Sequence, residues 1–447
     1  MGNDFAENED HPDLAIQVGD ENEHLLELME KKISAAPGIL RKSAGRSSCC
    51  IFRAPKSFND INGQQYQPQI VSIGPYHHGK PELAMIEEHK WRFLGILLKR
   101  TEDKGLKLKD YLKAVKPLVA ESRDCYAEGF QFSSDEFIQM LVLDGCFVIE
   151  LFRKFSGVVT FDRDDPLFSM SWVLSFFLRD LIRLENQIPF FILRRLFEIT
   201  KMPDEEDSGL SLGRLTLNFF NYAIQRPESS LELFSDIDGK HILDFLRLSF
   251  IPVGDEEPRI KPGKFSDVRL INCISDLRWG GIRLKPGNEE SFLDVRFRGG
   301  VIEMPRISLD DYMSSFLLNC VAYEQCHGNS SKHMTTYTTL LDCLINTSKD
   351  VKHLCDWNIM ENYFGTEDEI AKFVNNMGKD VVFDIESCYL SRLFSEVNQY
   401  YQEDWYVQFY VFLHTPWKFV SSLAAFVLLL LAVLQTLYTI LSYVHPK

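Results

Sequence analysis

The sequence FVSSLAAFVLLLLAVLQTLYTILSYV occupies residues 419–444 and contains no charged side chain. About 20 mostly apolar residues in a helix cross a bilayer core, so this segment is long enough to span one with some tilt. Trp417 and Lys418 precede it, as is typical of a membrane interface. We therefore predict one transmembrane helix within a C-terminal anchor over residues 416–447. Its residues include Phe419, Leu428, Leu434 and Val444.

The position of this anchor predicts the topology of the chain. Because only residues 445–447 follow it, the anchor leaves the ribosome after synthesis ends, and insertion is expected to be post-translational. Residues 1–13 are acidic and polar and lack the basic and apolar regions of a signal peptide. We expect a tail-anchored, single-pass protein with a cytosolic head. The anchor length favours the plasma membrane or another membrane of the secretory pathway.

The charge distribution excludes one class of partner. The chain has a formal net charge of −16, and its first 23 residues hold eight carboxylates and no Lys or Arg. This composition predicts an acidic, largely disordered tail over residues 1–35. The rest of the chain is also acidic and gives a phosphate backbone no electrostatic attraction, so we exclude nucleic acid. The lipid bilayer and other proteins remain as partners, and the oligomeric state stays open.

Helical periodicity dominates the region between the tail and the anchor. The segment DEFIQMLVLDGCFVIELFRKF follows Ser133 and Ser134, either of which can cap a helix with acids in its first turn. Pro189 interrupts the apolar sequence between two further helices. Helices are predicted at about 24–33, 81–100, 108–127, 134–155, 164–185, 190–200, 309–326, 335–345 and 385–401.

One short region has the alternation of a strand. Apolar Leu293, Val295 and Phe297 alternate with charged residues, and Gly299 and Gly300 then suit a two-residue hairpin turn. Val301 to Met304 is the predicted return strand, and Ile282 to Leu284 a possible third. We predict a mainly α fold: one large helical domain over 36–413 with a small antiparallel sheet, and exposed loops near 201–209 and 252–264. Whether the second loop separates two cores stays open.

The ten cysteines are scattered and form no CxxC pair, which fits reduced cytosolic thiols better than a disulfide framework. Glycosylation sequons begin at Asn329 and Asn346. They are expected to be unused in a cytosolic head and usable only if the head faces outward.

Several stretches resemble the plant DUF247 or UPF0481 family. They are IFRAP (51–55), YQPQIVSIGPYHHGKPEL (66–83), EEHKWRFL (87–94), LDGCFVIELF (143–152), DLIRLENQIPFF (180–191), EQC (324–326) and PW (416–417). The motif residues are Pro55, Gly74, Pro75, Tyr76, His77, His78, Gly79, His89, Lys90, Asp144, Gly145, Glu185, Asn186, Gln187 and Pro189. One departure is Ala54, where the family more often has Val.

The resemblance implies a single helical domain, one C-terminal transmembrane helix and no established activity. Some relatives are implicated in self-incompatibility recognition in grasses, which makes an outward-facing recognition receptor one alternative for this chain.

A second alternative is a metal-assisted enzyme. Imidazoles and carboxylates at His77, His78, Glu88 and His89 could bind zinc or iron. Adjacent histidines point in different directions, however, and a turn leading into a helix explains the same residues. We assign no metal ligand, no cofactor and no catalytic residue.

Other candidate chemistries have structural explanations. Residues 209–213 read GLSLG, like a nucleophile elbow, but Ser211 is better explained as a helix N-cap. Cys320, with Cys326, His327 and His333 nearby, falls on the apolar face of a helix. Glu185, Asn186 and Gln187 are predicted to bond the backbone groups at helix ends. We therefore expect a membrane-anchored protein-interaction or recognition module.

Overall fold

The computed structural model describes residues 14–34, 48–160, 165–207, 209–252, 269–403 and 416–444. The helices of its first half are α1 (Leu14–Ser34), α2 (Lys56–Asn62), α3 (Ala84–Thr101), α4 (Leu108–Val115), α5 (Val119–Asp124), α6 (Ser134–Phe155), α7 (Val173–Asp180), α8 (Phe190–Thr200), α9 (Pro203–Asp207) and α10 (Leu212–Ile224). Those that follow are α11 (Glu228–Leu233), α12 (Ile242–Leu248), α13 (Ile274–Trp279), α14 (Asp311–Cys326), α15 (His333–Leu344), α16 (Ser348–Asp356), α17 (Glu367–Met377), α18 (Ser391–Glu403) and α19 (Pro416–Val444). The fold is mainly α, as predicted.

Helix α6 lies at the centre of the first half of the head. It begins at Ser133, whose hydroxyl accepts from the amide of Glu136 while the Glu136 carboxylate accepts from the Ser133 amide. This capping box satisfies two amides that a helix start leaves unbonded. From Phe137 to Lys154 nearly every α6 side chain is buried, because α3, α4, α8 and α10 pack around it.

The strands are β1 (Arg283–Gly287), β2 (Arg296–Arg298), β3 (Val301–Pro305), β4 (Ile307–Leu309) and β5 (Met360–Asn362). Strands β2 and β3 form the predicted antiparallel hairpin, and β1 joins β3 in parallel, giving the order β1-β3-β2. The sheet is therefore mixed rather than wholly antiparallel. The parallel pair β4–β5 was not predicted from the sequence.

One apolar cluster runs through the described head, from Cys49 in the first segment to Val397 in α18. Aromatic rings form much of it. Phe152 on α6 lies 5.0 Å from Phe219 on α10, and Phe190 stacks on Phe245 at the same distance. Such ring pairs add to the stabilisation from buried area, so the many phenylalanines contribute to one core.

Helix α1 lies inside the segment for which the sequence predicts a largely disordered tail. It contains the helical periodicity expected from residue 24 onward. Lys31 and Lys32 in its last turn interact favourably with the negative end of the helix dipole. The apolar side chains described on it are exposed: Leu25, Leu26, Leu28, Met29 and Ile33. Residues 1–13 and 35–47 of the predicted tail lie outside the described residues.

The structure also differs from the expected exposed loop at residues 201–209. Helix α9 occupies part of it, and the Glu205 side chain is only 2% exposed because it accepts from the Arg153 guanidinium at 2.8 Å. In the expected loop at 252–264, all residues after Pro252 lie outside the described residues. Helix α7 ends at Asp180 instead of continuing to residue 185, since the following backbone bonds to side chains.

Helix α19 contains one segment that is long and apolar enough to cross a membrane, Val420–Leu441, with a mean hydropathy of 2.3. None of the residues in its most apolar window is buried against the rest of the chain. A core helix of similar composition would bury one face, whereas this window buries none against the rest of the described chain.

Candidate functional site

The stretches that resemble the family meet inside the head, although they are far apart in the sequence. Asp180 is fully buried at the end of α7, and its carboxylate accepts from the amides of Gln69, Ile70 and Val71 at 2.7 to 3.1 Å. Arg183 donates to the same carboxylate. Burial raises the pKa of Asp180 above its ordinary value. This carboxylate fixes the extended segment before Gly74 against the end of α7.

Asn186 and Gln187 bond backbone groups that would otherwise be unsatisfied. Asn186 accepts from the Ile73 amide at 2.6 Å and donates to the carbonyl of Val71. Gln187 donates to the carbonyls of Leu181 and Arg183, both at 2.8 Å. Gln187 bonds carbonyls at the end of α7 as predicted, and Asn186 also donates to the Asp180 carbonyl there. Glu185 instead bonds the Ala54 amide and His77. Buried amides and carbonyls without partners are costly.

Lys90 is the cation at the centre of this network. Its ammonium lies 2.6 Å from Asp144, also donates to the carbonyl of Ser72, and pairs with Glu87 on its own helix. Asp144 in turn accepts from the Gly74 amide at 2.8 Å. Gly74 has a φ of +82°, and a Cβ there would lie 2.4 Å from the carbonyl oxygen of Gln187. Only glycine fits this position.

His77 is paired with a carboxylate from the other side of the network. Its Nε2 lies 2.9 Å from Oε2 of Glu185, and both side chains are buried. The second Glu185 oxygen accepts from the Ala54 amide at 3.0 Å. Half-exposed Arg53 lies over the Tyr76 ring and donates to the Tyr76 carbonyl. The network thus reaches solvent through Arg53.

The other motif residues shape the backbone around this network. A Cβ on Gly145 would lie 2.5 Å from a Leu196 methyl, so glycine allows α6 and α8 to approach closely. Pro189 precedes the first turn of α8 and Pro55 that of α2, while Pro75 is buried. Gly79 has a φ of +78° with open space around it.

The four metal candidates are not arranged as one site. His77 faces Glu185, and His78 packs edge-on against the Phe132 ring at 5.6 Å. Glu88 is exposed and His89 half-buried on α3, where burial lowers the pKa of His89. Within the described ranges, no group of three His, Cys, Asp or Glu side chains is placed to hold a metal ion.

A second buried network, not foreseen from the sequence, joins α12, α14 and α15. Arg247 donates to Asp244 at 2.9 Å and to Glu324 of the EQC stretch at 3.2 Å. Glu324 also accepts from the amide and hydroxyl of Thr335. Burial raises the pKa of Glu324. Burial also opposes ionisation of Asp244, but the Arg247 charge, the His241 ring and the hydrogen bonds from Lys240 and Arg247 together lower the pKa of Asp244.

His241 completes this second network as a neutral ring. It accepts from the Asp244 amide through Nδ1, and its Nε2 lies 3.0 Å from the carbonyl of Cys50, to which it donates. Burial lowers the pKa of His241 to about 4. A sequence signal exists for such networks: the pairs Glu150–Arg153, Asp180–Arg183 and Asp244–Arg247 share an i, i+3 spacing inside apolar stretches.

The remaining candidates have structural roles. The Ser211 hydroxyl accepts from the amide of Arg214 and caps α10, as predicted. Cys320 is fully buried on α14, and burial raises its pKa well above the ordinary thiol value. His333 stacks on Tyr389 at 4.6 Å, and burial lowers its pKa to about 4. None of the ten cysteines, all of which lie in the described ranges, forms a disulfide bond.

Comparison with known proteins agrees with this assembly of motifs. The model of a family described as plant proteins of unknown function, DUF247, matches residues 51–431. A UPF0481 protein of Arabidopsis thaliana is 38% identical over 439 residues, covering 93% of this chain and 91% of that protein. A putative UPF0481 protein of the same plant is 24% identical over 478 residues, covering 86% and 89%. No solved structure matches the chain.

Proposed function

The chain belongs to the DUF247 family of plant proteins of unknown function, and from that premise we propose that it is a tail-anchored membrane protein whose helical head recognises other proteins in the cytosol. The observation that carries the anchoring is the unburied apolar segment Val420–Leu441. A helix of this length and composition is stable in hydrocarbon, where all its backbone groups are bonded internally.

The use of the motif residues supports recognition over catalysis. The motif side chains best suited to acid–base chemistry are paired with one another inside the head: Lys90 with Asp144, and His77 with Glu185. Buried ion pairs with satisfied hydrogen bonds hold one conformation of the backbone. A rigid head of this kind suits the display of a recognition surface.

A surface of the right composition lies where α13 meets α16, and we define it as the tryptophan patch: Arg278, Trp279, His353 and Trp357. Arg278 lies 5.4 Å from the centre of the Trp357 ring, and His353 stacks on that ring at 5.3 Å. Trp279, which follows Arg278 at the end of α13, is 53% exposed. Trp and Arg are the residues most enriched at the energetic centres of protein interfaces.

Protease protection on intact membranes tests the topology. We expect added protease to digest the head completely and a glycosidase to leave its mobility unchanged. The acceptor side chains Asn329 and Asn346 are both exposed. A protected head with glycans on these residues would overturn the cytosolic placement and favour an outward-facing receptor of the self-incompatibility type.

Proximity labelling with the full-length protein tests the recognition surface. Trp279→Ala is expected to remove a subset of labelled proteins that the parent labels. Trp91→Ala is the matched control, since Trp91 is 49% exposed on a different helix. Identical labelling by all three proteins would contradict the tryptophan patch as the recognition surface.

A further inference from the structure

A cleft of about 470 Å³ opens between the end of α10, strand β4 and the start of α14. Its volume lies in the range of small-molecule sites. Six of its lining side chains are buried: Arg226, Phe250, Phe292, Ile307, Tyr312 and Met313.

Arg226 differs from the other buried guanidinium groups in the described head. Arg153, Arg183 and Arg247 each pair with at least one buried carboxylate. Arg226 is 9% exposed, and its side chain makes a single hydrogen bond, to the neutral hydroxyl of Ser249 at 3.1 Å. Its Nε has no partner. A buried charge that makes no ion pair is destabilising, so an anion bound here would lower the free energy of the folded head.

The surroundings of Arg226 are apolar on two sides. The guanidinium lies 5.0 Å from the ring centre of Phe234 and 4.8 Å from that of Phe250. Burial lowers the pKa of Arg226 to about 10, and the charge of Glu290 acts in the opposite direction. The side chain therefore stays charged at neutral pH.

Tyr312 provides a second unsatisfied donor on the same cleft. Its side chain is 5% exposed, and its hydroxyl has no hydrogen-bond partner. Burial raises the pKa of this hydroxyl, so it remains protonated and can donate. The Tyr312 hydroxyl and Arg226 Nε are both shielded from water, so a ligand that bonds them must displace the side chains that cover them.

The rim of the cleft selects the charge of the ligand. Glu290 accepts from the hydroxyls of Ser229 and Ser230 and makes no ion pair with Arg226. Glu361 pairs with Arg306, and Asp310 caps α14. These rim carboxylates repel a dianion such as phosphate more strongly than a monoanion, whose one charge Arg226 can balance.

We propose that this cleft binds a small organic molecule with one carboxylate on an apolar body. The carboxylate accepts from Arg226 and Tyr312, and the body packs on Phe250, Phe292 and Met313. This inference does not depend on the membrane topology proposed above.

The test uses the full-length protein in lipid nanodiscs and fluorine-19 NMR, with empty nanodiscs as a blank. The probes are a panel of fluorinated aryl and alkyl carboxylates, each with its primary amide. We expect acids to bind at least about tenfold more tightly than their amides, because a charge-assisted hydrogen bond is lost in the amide. A panel in which no acid binds better than its amide overturns the proposal.

Four variants distinguish the site from other surfaces. Tyr312→Phe removes a hydroxyl that has no partner, so it is expected to keep the stability of the parent and to weaken acid binding several-fold. Arg226→Met is expected to abolish the preference for acids, while exposed Arg283→Met leaves it unchanged. Glu290→Gln is expected to retain or strengthen acid binding. Undiminished acid binding by both Tyr312→Phe and Arg226→Met, or its loss in Glu290→Gln, overturns the proposal.

Discussion

The ammonium of Lys90 lies 2.6 Å from a carboxylate oxygen of Asp144, and neither side chain is more than 1% exposed. Lys90→Met leaves this carboxylate buried without its cation. We expect the free energy of unfolding to fall by about 3–5 kcal/mol, because removing one partner of a buried pair leaves an uncompensated charge. Urea unfolding of the full-length protein, followed by circular dichroism, measures the change.

The control for this prediction lies on the same helix. Lys99 is exposed near the end of α3, and Lys99→Met is expected to change stability by less than about 0.5 kcal/mol. The double variant Lys90→Met with Asp144→Asn removes both charges, so we expect it to be more stable than Lys90→Met alone. A double variant whose loss is the sum of the two single losses would argue against the pairing.

Two glycines with positive φ provide a matched pair of substitutions. Gly74→Ala places a Cβ 2.4 Å from the carbonyl oxygen of Gln187, whereas Gly79→Ala meets nothing within 4 Å. Both variants incur about 1–2 kcal/mol of backbone strain. We expect Gly74→Ala to lose about 2 kcal/mol more than Gly79→Ala, from the clash. Thermal unfolding compares them, and equal losses would refute the close approach.

The neutral, buried His333 predicts a loss of stability in acid. Its pKa is about 4 in the folded protein and about 6.5 when unfolded, so the unfolded chain binds its proton first as the pH falls. The contribution of His333 to the free energy of unfolding is therefore fully present above pH 6.5 and falls by about 3 kcal/mol by pH 4. The raised pKa of Glu324 makes the folded state more stable as the pH falls, which opposes the effect of His333. The His333 effect is therefore measured as a difference between a variant and the parent.

His333→Phe isolates this contribution and retains the stacking on Tyr389. Both ring nitrogens of His333 lack partners, so the variant should be at least as stable as the parent at pH 7. Between pH 7 and pH 4 the free energy of unfolding of this variant should fall by about 3 kcal/mol less than that of the parent. His24→Phe, on the exposed part of α1, is expected to leave the pH dependence unchanged. Parallel curves for His333→Phe and the parent would disprove the prediction.

If helix α19 is the membrane anchor proposed above, charges at its centre should prevent membrane insertion. Leu428→Arg with Leu434→Arg introduces two cations, each disfavoured by about 3 kcal/mol in the middle of a transmembrane helix. We expect the variant to be extracted from membranes by alkaline carbonate, while the parent stays in the pellet. Gln435→Leu is the control and is expected to remain membrane-bound. An unextracted double variant would contradict the anchor.

Local signals in the sequence were enough to predict many of the helix boundaries. The capping box at Ser133, the interruption at Pro189 and the cap at Ser211 each depend on neighbouring residues. The bonding role of Asn186 and Gln187 could also be predicted, since they lie between two apolar helices.

Features that depend on distant partners could not be read from the sequence. Glu205 lies in an acidic segment and is buried only because Arg153, 52 residues earlier, faces it. The three-residue strands β4 and β5 are too short for a periodic pattern. The proposed ligand site depends on Arg226 making no ion pair, and this is visible only once the head is packed.

Asn319 on α14 donates to the carbonyl of Gln65, 254 residues earlier, and accepts from the amide of Leu184. At roughly 5–20 residues per second, the ribosome needs roughly 13–50 s to travel from Gln65 to Asn319. During that time the Gln65 carbonyl and the Leu184 amide lack the side chain that bonds them in the folded head. The first half of the head therefore completes this buried network only after α14 has been translated.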